Sequence, residues 1–319
     1  MKKYLWLLLA ITMHSPAKAQ QNNALSIGLV LQPYTARTGA DEFSIAPQLL
    51  LDELSPLLRE WQVKPVTIAR VDLTEAEKQQ YGVWHHLGLA DGHLGRAVSG
   101  IAREEIFVLG LLGNCNSSLG MLAGLQQGIR GGEEPTLGLI WVDAHGDFNT
   151  PETTLSGWLG GMPVAVAAGQ CLHRLRLKAG LAPPVATENI VMIGLRDVDP
   201  LEQELIDAAG ITVVPANDMV QGTEAFRKAV ASLAAKVDVI YLHIDLDILD
   251  ATDIPGSFFE VTGGPLATEL VAPVTYMVAQ PKVKALGISS FPTREEGRQK
   301  SLQSAMLLIK AGIAGLRAR

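Results

Sequence analysis

Cysteine is almost absent from this chain, which has only Cys115 and Cys171 among 319 residues. Two are too few for a disulfide framework, so a buried core must hold the fold. Charge is also scarce: charged residues make up 18% of the chain against 48% hydrophobic residues. That balance excludes extended disorder and supplies the apolar mass for one large core. There is no excess of base, since 26 lysines and arginines face 33 acidic residues for a net charge of −7. A nucleic-acid footprint is therefore excluded, and so is a polybasic patch for anionic lipid. No apolar run reaches the roughly 20 residues that cross a bilayer, so no membrane span is expected in the mature chain. Repeats, low-complexity tracts and linkers are lacking too.

What is present begins with a targeting pattern. Lys2 and Lys3 precede a short apolar stretch over 4–13, and Ala17-Lys18-Ala19 has the small-x-small form of an export cleavage site. We expect a signal peptide over 1–19, cleaved after Ala19, and a single catalytic domain over 20–319. The mature protein would then be periplasmic or secreted.

Apolar runs of strand length alternate with helical periodicity through that domain. Strands are expected at 26–31, 66–71, 106–112, 138–142, 190–193, 212–214, 239–244 and 285–288. Helices are expected at 46–61, 84–103, 119–129, 162–168, 200–209, 223–236, 266–278 and 294–316. Such alternation gives an α/β fold with a parallel sheet covered on both faces.

The chemistry concentrates where two of these strands end. Leu139-Ile140-Trp141-Val142 runs into Asp143-Ala144-His145-Gly146-Asp147. In extended backbone, side chains at i, i+2 and i+4 share a face. Asp143, His145 and Asp147 therefore converge at the strand's carboxyl end, where open α/β sheets place their ligands. A second run, Ile240-Tyr241-Leu242-His243-Ile244, ends in Asp245-Leu246-Asp247. Carboxylates with one imidazole suit Mn²⁺ or a similar borderline-hard dication better than a structural zinc. Two such ions about 3.5–4 Å apart can share a water and make it a nucleophile near neutral pH. A lone Asp-x-Asp reads as a capped turn; two ligand-bearing strand ends together read as a two-metal hydrolytic site. His243 faces the same side as Asp245, which allows a role behind the ligands. His85, His86 and His93 read as surface or capping residues.

With Gly194-Leu195-Arg196-Asp197-Val198-Asp199-Pro200 added, these motifs resemble those of the arginase/agmatinase ureohydrolases, in order and spacing, over most of the chain. The resemblance implies a three-layer αβα sandwich with a parallel central sheet, a site for two Mn²⁺ ions, and hydrolysis of a guanidino carbon to release urea or a relative. It also implies a homo-oligomer, commonly a trimer or hexamer, acting on a small guanidino molecule. By resemblance, Asp143 and Asp245 bridge the ions, Asp147 completes one shell, and His145 and Asp247 complete the other. Asp147 and His145 would be the catalytic pair. Asn149 and Ser156 fall where arginases hold the substrate's α-carboxylate, and Asp199 and Glu202 where the α-amino end is bound. Asp199 also reads as the N-cap of a helix opening at Pro200.

Four positions depart from the arginase pattern. Cys115 stands where a histidine ligand is usual, and Gly160 where the proton-shuttling histidine falls. Trp158 replaces an asparagine near the substrate carboxylate, and Ser290 replaces a glutamate that pairs with the guanidinium. Cys115 and Trp158-Leu159-Gly160-Gly161-Met162 resemble the cysteine-containing N-omega-hydroxy-L-arginine amidinohydrolases, which release hydroxyurea. Ser290 departs from that branch as well, so Glu260, Glu295 or Glu296 would have to supply the carboxylate. Cys115 reads as a thiolate ligand, which opens the site to another divalent metal, or as a small buried filler. A disulfide to Cys171 would remove it from the site. Trp158 reads as a lid or a pocket wall. The chain is thus expected to be a metal-dependent hydrolase of a C–N bond in a guanidino or N-hydroxyguanidino amino acid. An agmatine-like amidine as substrate, or a non-catalytic binding protein on the same scaffold, are the alternatives.

Overall fold

Each apolar run that reads as a strand is one. A computed structural model describes residues 24–35, 42–129 and 134–319; the expected leader over 1–19 lies outside them. The strands are β1 (Leu25–Gln32), β2 (Val63–Arg70), β3 (Phe107–Leu112), β4 (Leu137–Val142), β5 (Ile190–Ile193), β6 (Thr212–Val214), β7 (Val239–Asp245) and β8 (Val283–Ser289). The helices are α1 (Ala46–Glu60), α2 (Glu75–Lys78), α3 (Val83–Ala102), α4 (Ser118–Gly128), α5 (Pro163–Ala167) and α6 (His173–Ala179). They continue as α7 (Pro200–Ala208), α8 (Ala216–Gln221), α9 (Glu224–Lys236), α10 (Val271–Ala279) and α11 (Arg298–Arg317).

Period-two alternation sorts the strand side chains into two apolar layers. On β7, Ile240, Leu242 and Ile244 join one core while Val239 and Tyr241 join the other. β4 divides the same way, with Ile140 and Val142 against Leu139 and Trp141. Helices α1, α9, α10 and α11 pack on the first face, and α3, α4, α5 and α6 on the second. The result is an αβα sandwich. Burying each large apolar side chain contributes about 1.5–3 kcal/mol, so the two layers carry the stability that disulfides do not.

The eight strands are parallel and lie in the order β2-β1-β3-β8-β7-β4-β5-β6. The chain leaves β3 for β4, passing two positions that β7 and β8 fill later. Consequently the carboxyl ends of β3, β8, β7 and β4 are consecutive neighbours, and this reversal of strand order is where such sheets form their crevice. Pro65 interrupts donation within β2, which is tolerated because β2 is an edge strand.

Two helix starts differ from the sequence reading, and three short helices add to it. Helix α10 starts at Val271 rather than 266, because residues 266–270 form turns before it. Helix α11 starts at Arg298 rather than 294, since Gly297 takes a left-handed φ of 77° that an incoming helix cannot continue through. The short helices α2, α6 and α8 were not expected, being too short to show a clear apolar period. Among the described residues no helix is long and apolar enough to cross a membrane.

Close approach of α3 to α4 depends on the glycines of α4: a Cβ on Gly124 would lie 2.4 Å from Val98 Cβ. Gly124→Val should therefore cost about 1–3 kcal/mol through overpacking. Gly100→Ala, on the open side of α3 with nothing within 4 Å, should gain up to about 1 kcal/mol of helix propensity. Denaturant unfolding of both variants checks this, and equal effects of the two would contradict the packing argument.

Candidate metal centre

The four neighbouring strand ends supply the floor of one cavity of about 250 Å³. Asp143, His145 and Asp147 follow β4, Asp245 closes β7 with Asp247 just beyond, Cys115 follows β3, and Ser290 follows β8. Each leading aspartate also shapes its own turn. The His145 N–H donates to Asp143 Oδ1 at 2.7 Å, and the Asp247 N–H to Asp245 Oδ1 at 2.9 Å, as Asx turns do. Asp147 and Ser290 both adopt left-handed backbone, with φ of 48° and 57°, a conformation that aspartate tolerates better than serine.

Donor atoms meet closely. His145 Nδ1 lies 3.3 Å from Asp143 Oδ1 and 3.2 Å from Asp247 Oδ2. Cys115 Sγ donates to Asp245 Oδ2 at 2.6 Å. The ligand atoms of Asp143, His145 and Asp247 lie within 4.8 Å of one another, and so do those of Cys115, Asp143 and Asp147. All six residues expected as ligands therefore converge.

Electrostatics tests whether this donor set fits cations. Burial, then the charges of Asp247, Asp245 and Asp147, push the Asp143 carboxyl well above the usual range. Burial does the same to Asp147, against the nearby His145, and burial with Asp247 raises Asp245 to about 7. Burial opposes a charged His145, but hydrogen bonds to Asp143 and Asp247 outweigh it and raise the imidazole to about 12. Burial, then the charges of Asp245, Asp147 and Asp143, hold the Cys115 thiol well above its ordinary value. One imidazolium cannot balance four carboxylates in so small a volume, and dications would. Oxygen-rich donors with one imidazole and one thiol fit a pair of first-row dications.

The outer part of the cavity carries the expected substrate residues. Asn149, Ser156, Trp158, Asp199 and Glu202 all line it. Asn149 Nδ2 donates to Asp199 Oδ2 at 3.1 Å. Asp199 and Glu202 form a capping box at the start of α7, so the N-cap reading of Asp199 holds, and the same residue lines the cavity. Glu202, only 3% exposed, accepts the Phe148 N–H at 2.7 Å. It reaches that bond beneath Gly146, whose Cβ would stand 2.7 Å from Glu202 Oε1.

Trp158 is a pocket wall. Its ring stacks on Phe259 with centroids 4.8 Å apart, and a Cβ on Gly160 would meet it at 2.5 Å. Phe259 and Asp197 line the cavity as well. Asp197 stood within a recognised motif; nothing in the pattern around Phe259 marked it. Ser290 Oγ donates to Asp245 Oδ2 at 2.5 Å. Glu260, Glu295 and Glu296 are absent from the cavity lining, so none of them replaces the expected carboxylate. Both cysteines are free and buried, which removes the disulfide alternative. His243 is fully buried and reaches Asp245 through Ser289, as its place behind the ligands anticipated.

Fold and floor together define an α/β protein with a carboxylate-rich metal-type centre at the carboxyl edge of a parallel sheet. The model of the Arginase family matches residues 27–307, and the chain belongs to that family. The arginase of Brevibacillus brevis is 36% identical over 193 residues, 60% of this chain and 62% of that protein. The N(omega)-hydroxy-L-arginine amidinohydrolase of Streptomyces lavendulae is 40% identical over 140 residues, 44% of this chain and 46% of that protein. The matched segment thus spans less than two thirds of these curated relatives. The arginase structure from Bacillus cereus superposes with a TM-score of 0.77 at 26% identity, covering 90% of this chain and 98% of that one.

The raised carboxyls set the sign of a pH effect. Their folded pKa values exceed the unfolded value of about 3.9, so the folded state holds extra protons between the two. Stability is then lost as pH rises through that window. With chelator present, unfolding temperature should fall between about pH 4 and about pH 7, the value for Asp245. Asp245→Asn should flatten this slope, and Mn²⁺ should restore stability most at the alkaline end. A chelated protein that gains stability across the window would contradict the crowding.

Proposed function

We propose that the chain is a binuclear-metal amidinohydrolase that cleaves the C–N bond of an N-hydroxyguanidino amino acid, releasing hydroxyurea, with manganese as the resident metal. The observation that carries this reading is the convergence of Cys115 and five Asp/His donors in a cavity that Asn149, Ser156, Asp199 and Glu202 also line. Cys115, Asp143, His145, Asp147, Asp245 and Asp247 would hold the two ions. When bound, such a pair supplies Lewis-acid polarisation of the guanidino carbon and acidifies a shared water.

The chain's own groups do the rest. In this reading Asn149 and Ser156 would donate to the α-carboxylate, and Asp199 and Glu202 would accept from the ammonium. Asp147, as the carboxylate, would accept the attacking water's proton and return it to the departing nitrogen. His145 holds Asp143 and Asp247 in register through Nδ1.

The N-hydroxy branch is favoured by what faces the reacting end. Ser290 spends its hydroxyl on Asp245, and no glutamate from 260, 295 or 296 lines the cavity. Positions 260, 290, 295 and 296 therefore offer a strongly basic guanidinium no carboxylate partner, whereas an N-hydroxyguanidine is less basic. Gly160 supplies no proton shuttle, which also disfavours a poor leaving group. An agmatine-like substrate would leave Asn149 and Ser156 without a carboxylate to bind.

Manganese-loaded protein should process N-hydroxyarginine at least about tenfold more efficiently than arginine, which corresponds to only about 1.4 kcal/mol of transition-state stabilisation. Faster release of urea from arginine would overturn the choice of branch, and no turnover of any guanidino compound would overturn the hydrolase reading. Asp147→Asn should lower kcat by about 10²–10⁴ with little change in KM, as removal of a proton carrier does.

A further inference from the structure

Arg196 stands in the motif that supplies Asp197 and Asp199 to the cavity, yet its own charge has no part in the substrate reading. Its partly buried side chain donates to main-chain carbonyls of three separate segments. Nη2 reaches Asp247 O at 2.9 Å and Val261 O at 3.0 Å, Nε reaches Thr262 O at 3.2 Å, and Nη1 lies 3.5 Å from Gly194 O. The Arg196 main-chain N–H donates to Ala144 O at 2.8 Å, between the ligands Asp143 and His145. One residue thus touches both ligand-bearing turns and the loop over 250–264 that carries Phe259.

That loop is tied down on either side of Phe259. Before it, Asp253 accepts from Lys300 Nζ and from the Ala267 N–H, both at 2.7 Å. After it, the Val261 and Thr262 carbonyls meet Arg196. Gly264 lets the chain pass so close, because a Cβ there would lie 2.7 Å from Arg196 Nη2 and 2.5 Å from Ile248 O. A guanidinium suits the place: its rigid fork presents donors in several directions at once, and a lysine ammonium offers only a point charge on a flexible stem. The Asp247 turn has a second anchor of its own, since its N–H is held by Asp245 Oδ1. Loss of the guanidinium would therefore release the loop before it released the ligands.

We propose that Arg196 is a positioning residue for substrate selection, a clamp that joins Val261 and Thr262 to the Asp247 turn and so sets Phe259 in the pocket wall. Phe259 then stacks on Trp158 and stands edge-on to His145. Wall and floor move as one body, and the space left for a substrate between them is fixed by this one side chain. The inference rests on the reading of the cavity as a substrate site, and the clamp itself needs no particular substrate.

Arg196→Lys keeps the charge and removes the fork. In full-length protein with Mn²⁺ in the buffer, amides over 256–264 should exchange with deuterium at least about tenfold faster than in wild type, the effect of losing one charge-assisted hydrogen bond. Strands β4, β5 and β7 should keep their wild-type rates. Unchanged exchange over 256–264, or equal acceleration through the sheet, overturns the clamp. KM for N-hydroxyarginine should rise at least about tenfold, with kcat altered less. In a Phe259→Ala background the same substitution should raise KM by no more than about twofold, because the wall residue is already gone. Full additivity of the two substitutions, or a loss confined to kcat, overturns the role in substrate selection. Should Arg196→Lys fail to fold, Gly264→Ala, which drives a methyl group against Arg196 Nη2, should accelerate the same amides, and normal exchange in that variant overturns the proposal. Wild-type protein that releases neither urea nor hydroxyurea loses the hydrolase reading, and the exchange result then decides the clamp alone.

Discussion

Four carboxylates cannot share one buried floor as anions unless cations balance them. Asp143, Asp147, Asp245 and Asp247 are between 1% and 7% exposed, and their crowding is the constraint on which the rest depends. Strand order creates the crowding, because β7 and β8 insert between β3 and β4. The turn geometry maintains it, since Asp143 and Asp245 accept backbone N–H groups from their own turns. Such a floor costs stability in isolation and makes sense as a cation receptacle.

The positions that depart from the arginase pattern prove to be packing units rather than isolated losses. Trp158 and Gly160 are coupled, because the indole occupies the space that any side chain at 160 would need. Phe259 then completes the wall and stands edge-on to His145, with centroids 6.1 Å apart. Ser290 and Cys115 are coupled too, since both donate to Asp245 Oδ2. One pair reshapes the wall of the pocket, and the other reshapes the environment of one ligand. Neither pair removes any of the six converging donors.

The strands were legible because their apolar runs alternate between two faces, and the aspartates were legible because period two places them on one side. Helix boundaries were harder, since Gly297 and the turns before Val271 interrupt patterns that continue in the sequence. Within the site, all ligand and substrate positions expected from motifs meet at the cavity. Phe259 was invisible because it sits in a loop with no period and reaches the pocket through ring contacts with Trp158 and His145. The shell behind the ligands was half visible. His243 announced itself by strand parity, but Ser289 joins it only through the β7–β8 register that pairs Asp245 with Ser289. Contacts set by the register of strands distant in sequence are not written in local pattern.

The central claim is that the buried carboxylates exist to hold two dications. Elemental analysis of purified full-length protein, equilibrated against buffered Mn²⁺ and Zn²⁺ near neutral pH, tests it most directly. The account predicts two tightly held dications per chain, falling to one or none when Asp245 is replaced by Asn. A folded protein that retains no divalent metal under those conditions would contradict it.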